Sequence, residues 1–215
     1  MERVAGADIC ARVMEGGDNL SVDSASSEIV EWSRGAMERL VQLVGEEESR
    51  EIMTSCACQY PVSELAEIWQ AFQDSGDVDL VLRMLQEKFE AFLRDTLDLE
   101  EGLVIDIVSK GWGLAGVRQG ARIVATKIPK SGYLLEYFQE TDSGRKRHHY
   151  CHCPRVREVL KTSDTLPETY CYCGAGFYKG IWEEILQRPV EVEVLETVLA
   201  GGDVCTIAVH LPPGV

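Results

Sequence analysis

Six of the eight cysteines fall into three pairs of identical spacing: Cys56-Ala57-Cys58, Cys151-His152-Cys153 and Cys171-Tyr172-Cys173. Cys10 and Cys205 stand alone. In an extended chain, residues i and i+2 point to one face, so a Cys-x-Cys pair can present two thiols together. Closely spaced cysteines in a reducing compartment favour metal binding or thiol chemistry over structural disulfides. Zinc takes four ligands drawn from thiolate, imidazole and carboxylate. The second half of the chain holds such a set in Cys153, Cys171, Cys173, Glu196 and Cys205. Cys171 and Cys173 precede a predicted helix, whose free N–H groups stabilise a nearby thiolate. Glu196 and Cys205 flank the Gly201-Gly202 turn, which can bring them together. The same logic makes Cys56, Cys58 or Cys171 a candidate nucleophile. His148, His149 and His152 lie nearby in sequence. On a predicted strand His148 and His149 face opposite ways, and His152 points away if its flanking thiols converge. His210 reads as an incidental partner.

The elements that must position these residues divide into a helical region over 1–100 and an α+β region over 101–215. Helical spacing of apolar residues predicts helices from Ser27 to about Val44, near Glu51, across Leu65 to Phe72, and from Asp77 or Asp79 to Leu93. The runs Leu103 to Val108, Arg122 to Ile128, Tyr133 to Phe138 and Arg147 to Cys151 read as strands. Asp142-Ser143-Gly144 reads as the turn between the last two. A short helix is expected over Arg155 to Leu160, and a further helix after Cys173, through Phe177, Ile181, Trp182, Ile185 and Leu186. Gly176 and Gly180, four apart, allow a close backbone approach on one helical face. Val190 to Val194 and Val204 to Val209 close the fold as a hairpin. The resulting class is α+β, with N-terminal helices followed by an antiparallel sheet packed with helices.

Composition narrows the partners. Thirty-six acidic against 21 basic side chains give a net charge of −15, which repels nucleic acid and anionic membranes. Arg145-Lys146-Arg147 is the one dense basic run and reads as a solvated turn. No apolar stretch has the length of a signal peptide or a membrane span. The expectation is a soluble, cytoplasmic protein with no nucleic-acid or membrane partner, and a homodimer is compatible with it. No P-loop, HExxH, GxSxG or dinucleotide fingerprint is present.

The stretch from Cys171 to Ile207 resembles the vinyl-4-reductase domain family. The matching features are Cys171 and Tyr172, Gly176 and Gly180, Glu196, Gly202-Asp203 and Cys205. The resemblance implies a small-molecule-binding α+β fold in which Cys171, Glu196 and Cys205 are zinc ligands. A further family cysteine after the glutamate is absent, with Val198 or Leu199 in its place, so Cys173 or Cys153 would complete the set. From Tyr150 the chain also looks like an uncharacterised bacterial and archaeal group, some of whose members are named as hydrolases of L-2-amino-thiazoline-4-carboxylic acid.

Three functions are expected in order. The first is zinc-supported binding of a small hydrophobic or aromatic molecule, as a sensor-like module, with Trp112, Tyr133, Tyr137, Phe177 and Trp182 around the ligand. The second is a metal- or cysteine-dependent hydrolase of a small heterocycle or amide. The third is a protein-assembly subunit, since the fold resembles subunits of vesicle-tethering complexes.

Overall fold

The computed structural model describes residues 5–55, 58–162 and 164–215. Cys56, one half of the first Cys-x-Cys pair, and Ala57 lie outside them. The described chain is mixed α+β: helices pack around one four-stranded antiparallel sheet. No described helix is long and apolar enough to cross a membrane.

Helices α1 (Ala7–Val13), α2 (Ser26–Val44) and α3 (Glu46–Thr54) open the chain. Gly45, with φ of 83°, turns the backbone sharply between α2 and α3, a conformation that favours a residue without Cβ. Helix α4 (Ala66–Ser75) ends on Gly76, and α5 (Val78–Ala91) starts on Asp77, whose carboxylate accepts from the N–H groups of Asp79 and Leu80. Such a cap satisfies donors that the first helical turn leaves unpaired. Phe92–Thr96 extends α5 as a π-helical turn. Val81, Leu85 and Phe89 of α5 are buried, and Phe92 keeps 37% of its surface exposed.

Three runs expected as strands are helices. Glu101–Ser109 is α6. Its Val104 and Ile107 are fully buried, with Leu103 and Val108 packed beside them, whereas Ile105 is 59% exposed. That is helical spacing, so burial of one face overrides the strand preference of β-branched residues. Tyr133–Phe138 holds a 3-10 turn (Ser131–Tyr133) followed by α7 (Leu134–Gln139). Leu134 and Tyr137 are its buried residues, three apart rather than two. Ser143–Tyr150 is α8, and Asp142 caps it by accepting from Arg145 N–H at 2.8 Å. The expected turn at 142–144 is therefore a helix start. The basic run lies on α8 and meets partners within the chain: Arg145 pairs with Glu140, Arg147 with Asp203, and Lys146 sits 4.9 Å from the Tyr137 ring centre.

Helix α9 (Pro154–Val159) has proline at its first position, where a missing N–H costs nothing. Helix α10 (Tyr172–Leu186) follows a 3-10 turn over Glu168–Cys171. The sheet consists of β1 (Val117–Gln119), β2 (Arg122–Thr126), β3 (Glu191–Glu196) and β4 (Thr206–His210), in the order β1-β2-β4-β3. Ile123 stands opposite Val209 and Ala125 opposite Ile207, all four fully or almost fully buried.

Two apolar clusters result. The larger runs from Val30 through Leu85, Val104 and Trp182 to Leu211. The smaller joins Val13, Ala36, Met37, Leu40, Ile52 and Met53 from α1, α2 and α3, with Tyr170, Tyr172 and Cys173 packed against it.

Candidate functional site: a thiol-lined cavity

A cavity of about 450 Å³ lies between the smaller cluster and the sheet. Met37, Leu40 and Met53 form one wall, and Val198 and Ile207 belong to the other. Six cysteines line it: Cys58, Cys151, Cys153, Cys171, Cys173 and Cys205. Four segments far apart in sequence therefore deliver thiols to one space.

Local structure explains the delivery. Tyr150, fully buried at the end of α8, donates its hydroxyl proton to the Lys127 carbonyl and accepts from Cys205 N–H at 2.9 Å. Lys127 N–H in turn reaches the Cys205 carbonyl at 3.0 Å. One phenol thus clamps the exit of β2 to the entry of β4 and sets Cys205 in the wall. His152 Nε2 lies 2.8 Å from the Ile128 carbonyl. A carbonyl can only accept, so the ring carries its proton on Nε2, and in the neutral ring Nδ1 is left as an acceptor. This bond also anchors Cys151 and Cys153 beside the same edge. Cys171 sits where the 3-10 turn passes into α10.

The thiols divide electrostatically. Burial pushes Cys171 well above the ordinary thiol range, and the neighbouring Cys205 and Cys151 add to it. Burial likewise raises Cys151 to about 12, with Cys205 and Cys153 within interacting range. Cys205 is raised by burial too, with Glu196 contributing. These thiols are neutral at pH 7. Cys58 goes the other way. A hydrogen bond from Cys173 lowers it to about 6, against the opposing effect of burial, and Lys127 helps.

Cys58 and Cys173 meet because of a glycine. A Cβ on Gly176 would lie 1.9 Å from the Thr54 carbonyl oxygen, and one on Gly180 would lie 3.1 Å from Gln59 Oε1. The close approach expected from the glycine spacing is present, between α10 and the end of α3. It places Cys58 and Gln59 against α10.

The expected residues distribute unevenly. Cys153, Cys171, Cys173 and Cys205 share the cavity, but Glu196 is not among its lining residues. Glu196 Oε1 instead accepts from Asp203 N–H at 2.8 Å and Val204 N–H at 3.3 Å, holding the loop between β3 and β4. Among the described residues, no group of three His, Cys, Asp or Glu side chains is placed to share a metal ion. Of the expected ligand-facing aromatics, none lines the thiol cavity. Trp182 is completely buried, and Trp112 and Tyr137 pack against each other and Tyr150 in the core. Tyr133 lies under the Arg157 guanidinium, 4.0 Å from its ring centre. Phe177 lines a second cavity of about 740 Å³ together with Tyr60 and Phe89. Cys58, Lys127 and His152 line both cavities and so stand between them.

His148 and His149 lie on α8 rather than a strand. His148 Nδ1 is 3.1 Å from the Arg157 carbonyl, and its Nε2 is 3.0 Å from an Arg157 guanidinium nitrogen. His210 faces Glu193 at 3.5 Å. Sequence reasoning left out Cys151 and the wall from α1 to α3. The repeated Cys-x-Cys spacing was the available signal for Cys151.

A family model described as a family of unknown function (DUF6144) matches residues 133–213. The match takes in Cys151, Cys153, Cys171, Cys173 and Cys205 and leaves Cys58 outside. No curated protein and no solved structure matches the chain.

Proposed function

We propose that this protein binds a small, mainly apolar molecule in the thiol-lined cavity, with zinc bracing the thiol-bearing wall. The supporting observation is the cavity itself: apolar side chains from α1, α2 and α3 enclose one side, and six thiols share the rest with Tyr150, Tyr170, Val198 and Ile207, Lys127 and Arg155 being the cations that line it. A volume of about 450 Å³ suits a compact ligand of one or two rings. The likeness to the vinyl-4-reductase domain family is part of this proposal.

The donor set fits zinc in kind. Cys151, Cys153, Cys171 and Cys205 are four sulfur donors, and Cys171 interacts with each of the other three. It does not fit in placement, since no three described donors share one point. These four would hold the ion only after side-chain rotation. Bound there, zinc would tie together the segments before α9, before α10 and before β4.

Two measurements on one preparation test this. Titration with the uncharged probe 1-anilinonaphthalene should saturate near one probe per folded chain. Elemental mass spectrometry of protein purified without added metal or chelator should find about one zinc per chain, lost in Cys171→Ala and Cys205→Ala. Absence of saturable probe binding overturns the binding function. Absence of metal from reduced protein overturns the zinc brace alone.

A further inference from the structure

Cys58 and Cys173 are the two cavity thiols that do not fit the zinc reading. They come from segments more than a hundred residues apart, yet both line one cavity, close enough for a side-chain hydrogen bond between them. Both are partly accessible and neither is in a disulfide. The contact is built in: Gly176 has no Cβ where one would strike the Thr54 carbonyl, so α10 lies close against the end of α3, four residues before Cys58. Lys127 stands beside the pair. Its Nζ lies 3.5 Å from where a Gly174 Cβ would be and 5.1 Å from the Phe177 ring centre.

We propose that Cys58 and Cys173 form a thiol–disulfide exchange site for a small, uncharged organic disulfide that enters through the second cavity. Access assigns the roles. Cys58 lines the second cavity and Cys173 does not, so an entering reagent meets Cys58 first. The aromatic walls from Tyr60, Phe89 and Phe177 and the chain's net charge of −15 select against an anionic reagent.

The steps balance. The Cys58 sulfur attacks one sulfur of the small disulfide, whose S–S bond breaks. One half leaves as a thiolate, and the other stays on Cys58 as a mixed disulfide. Cys173 then attacks the Cys58 sulfur, and the second half leaves. Two electrons pass from the protein thiols to the small disulfide, and the two thiol protons end on the two small thiols. Lys127 stabilises the thiolates that form on either side of the exchange.

The test uses the full reduced chain and 2-hydroxyethyl disulfide. Wild type should lose two hydrogens by intact mass, and peptide mapping should join residue 58 to residue 173. Cys173→Ser should stop at a mixed disulfide on Cys58. Cys58→Ser should leave Cys173 unmodified, Cys10→Ser should behave as wild type, and Lys127→Met should slow the first step about tenfold. A wild-type map without the 58–173 link overturns the proposal, as does a link from Cys56 to Cys173. So does a Cys58→Ser variant that consumes the reagent at the wild-type rate.

Discussion

Cys58 and Cys171 are the same side chain in two opposed settings, and the difference is one of neighbours. Cys171 is surrounded by protein and by other thiols, so its charged form is disfavoured. Cys58 receives a hydrogen bond and faces an ammonium group, both of which favour the thiolate. Iodoacetamide labelling followed by peptide mapping should therefore modify Cys58 with a midpoint near pH 6, while Cys151 stays unreactive in folded protein. In Cys173→Ala the Cys58 midpoint should climb towards the ordinary 9.0. The sign for stability follows. A depressed folded pKa stabilises the fold above 9.0 and loses that contribution as pH falls through 6, so Cys58→Ser should cost more stability above pH 9.0 than below 6. Equal labelling of Cys58 and Cys151 across that range would refute this division. Sequence showed that Cys58 had a paired spacing and stood before a helix. It could not show Cys173 beside it, because that contact depends on two elements meeting across more than a hundred residues.

At the scale of elements, the α3–α10 contact decides whether the site exists. Gly176→Ala would force a methyl group against the Thr54 carbonyl, 1.9 Å away before relaxation. Overpacking of this kind costs about 1–3 kcal/mol, more than the helix preference of alanine returns. Thermal unfolding should show that loss, and Cys58 labelling should revert to ordinary thiol behaviour as Cys58 moves off α10. A variant as stable as wild type with Cys58 still activated would mean the contact is not what joins the pair. The glycine pair was legible because close helix packing has a sequence signature. Helices α2, α4, α5, α9 and α10 and strands β2, β3 and β4 were legible for the same kind of reason, through apolar periodicity and caps. Helices α6, α7 and α8 were not. Leu103-Val104-Ile105-Asp106-Ile107-Val108 is short and β-branched, and such a run fits strand and helix alike. Only its buried face, Val104 with Ile107, separates the two. Misreading Arg147 to Cys151 as a strand also misplaced Tyr150, whose hydroxyl sets Cys205 in the cavity wall.

The whole molecule assembles the cavity from parts that sequence comparison separates. Residues 133–213 match a family model and hold five of its six thiols. The facing wall, with Met37, Leu40 and Met53, comes from α2 and α3 and lies outside that match. The aromatics expected around the ligand sit elsewhere: Trp112, Tyr137 and Trp182 are buried in the main core. The aromatic rings that do line the cavity are others, Trp32, Tyr150 and Tyr170, beside aliphatic side chains, methionines and thiols. Ala36 sits on that wall, buried and turned to the cavity. Ala36→Phe should place a ring in the space a ligand would use. Because the added volume goes into a void, its cost should stay below the roughly 3 kcal/mol upper end for overpacking, which a denaturant midpoint would report. Saturable binding of the anilinonaphthalene probe should then be lost while zinc is retained, since the four proposed ligands lie on the opposite wall. Unchanged probe binding would place the ligand elsewhere, the second cavity being the next place to look. Loss of zinc together with the probe would mean that the helical wall holds the thiols in position as well as enclosing them.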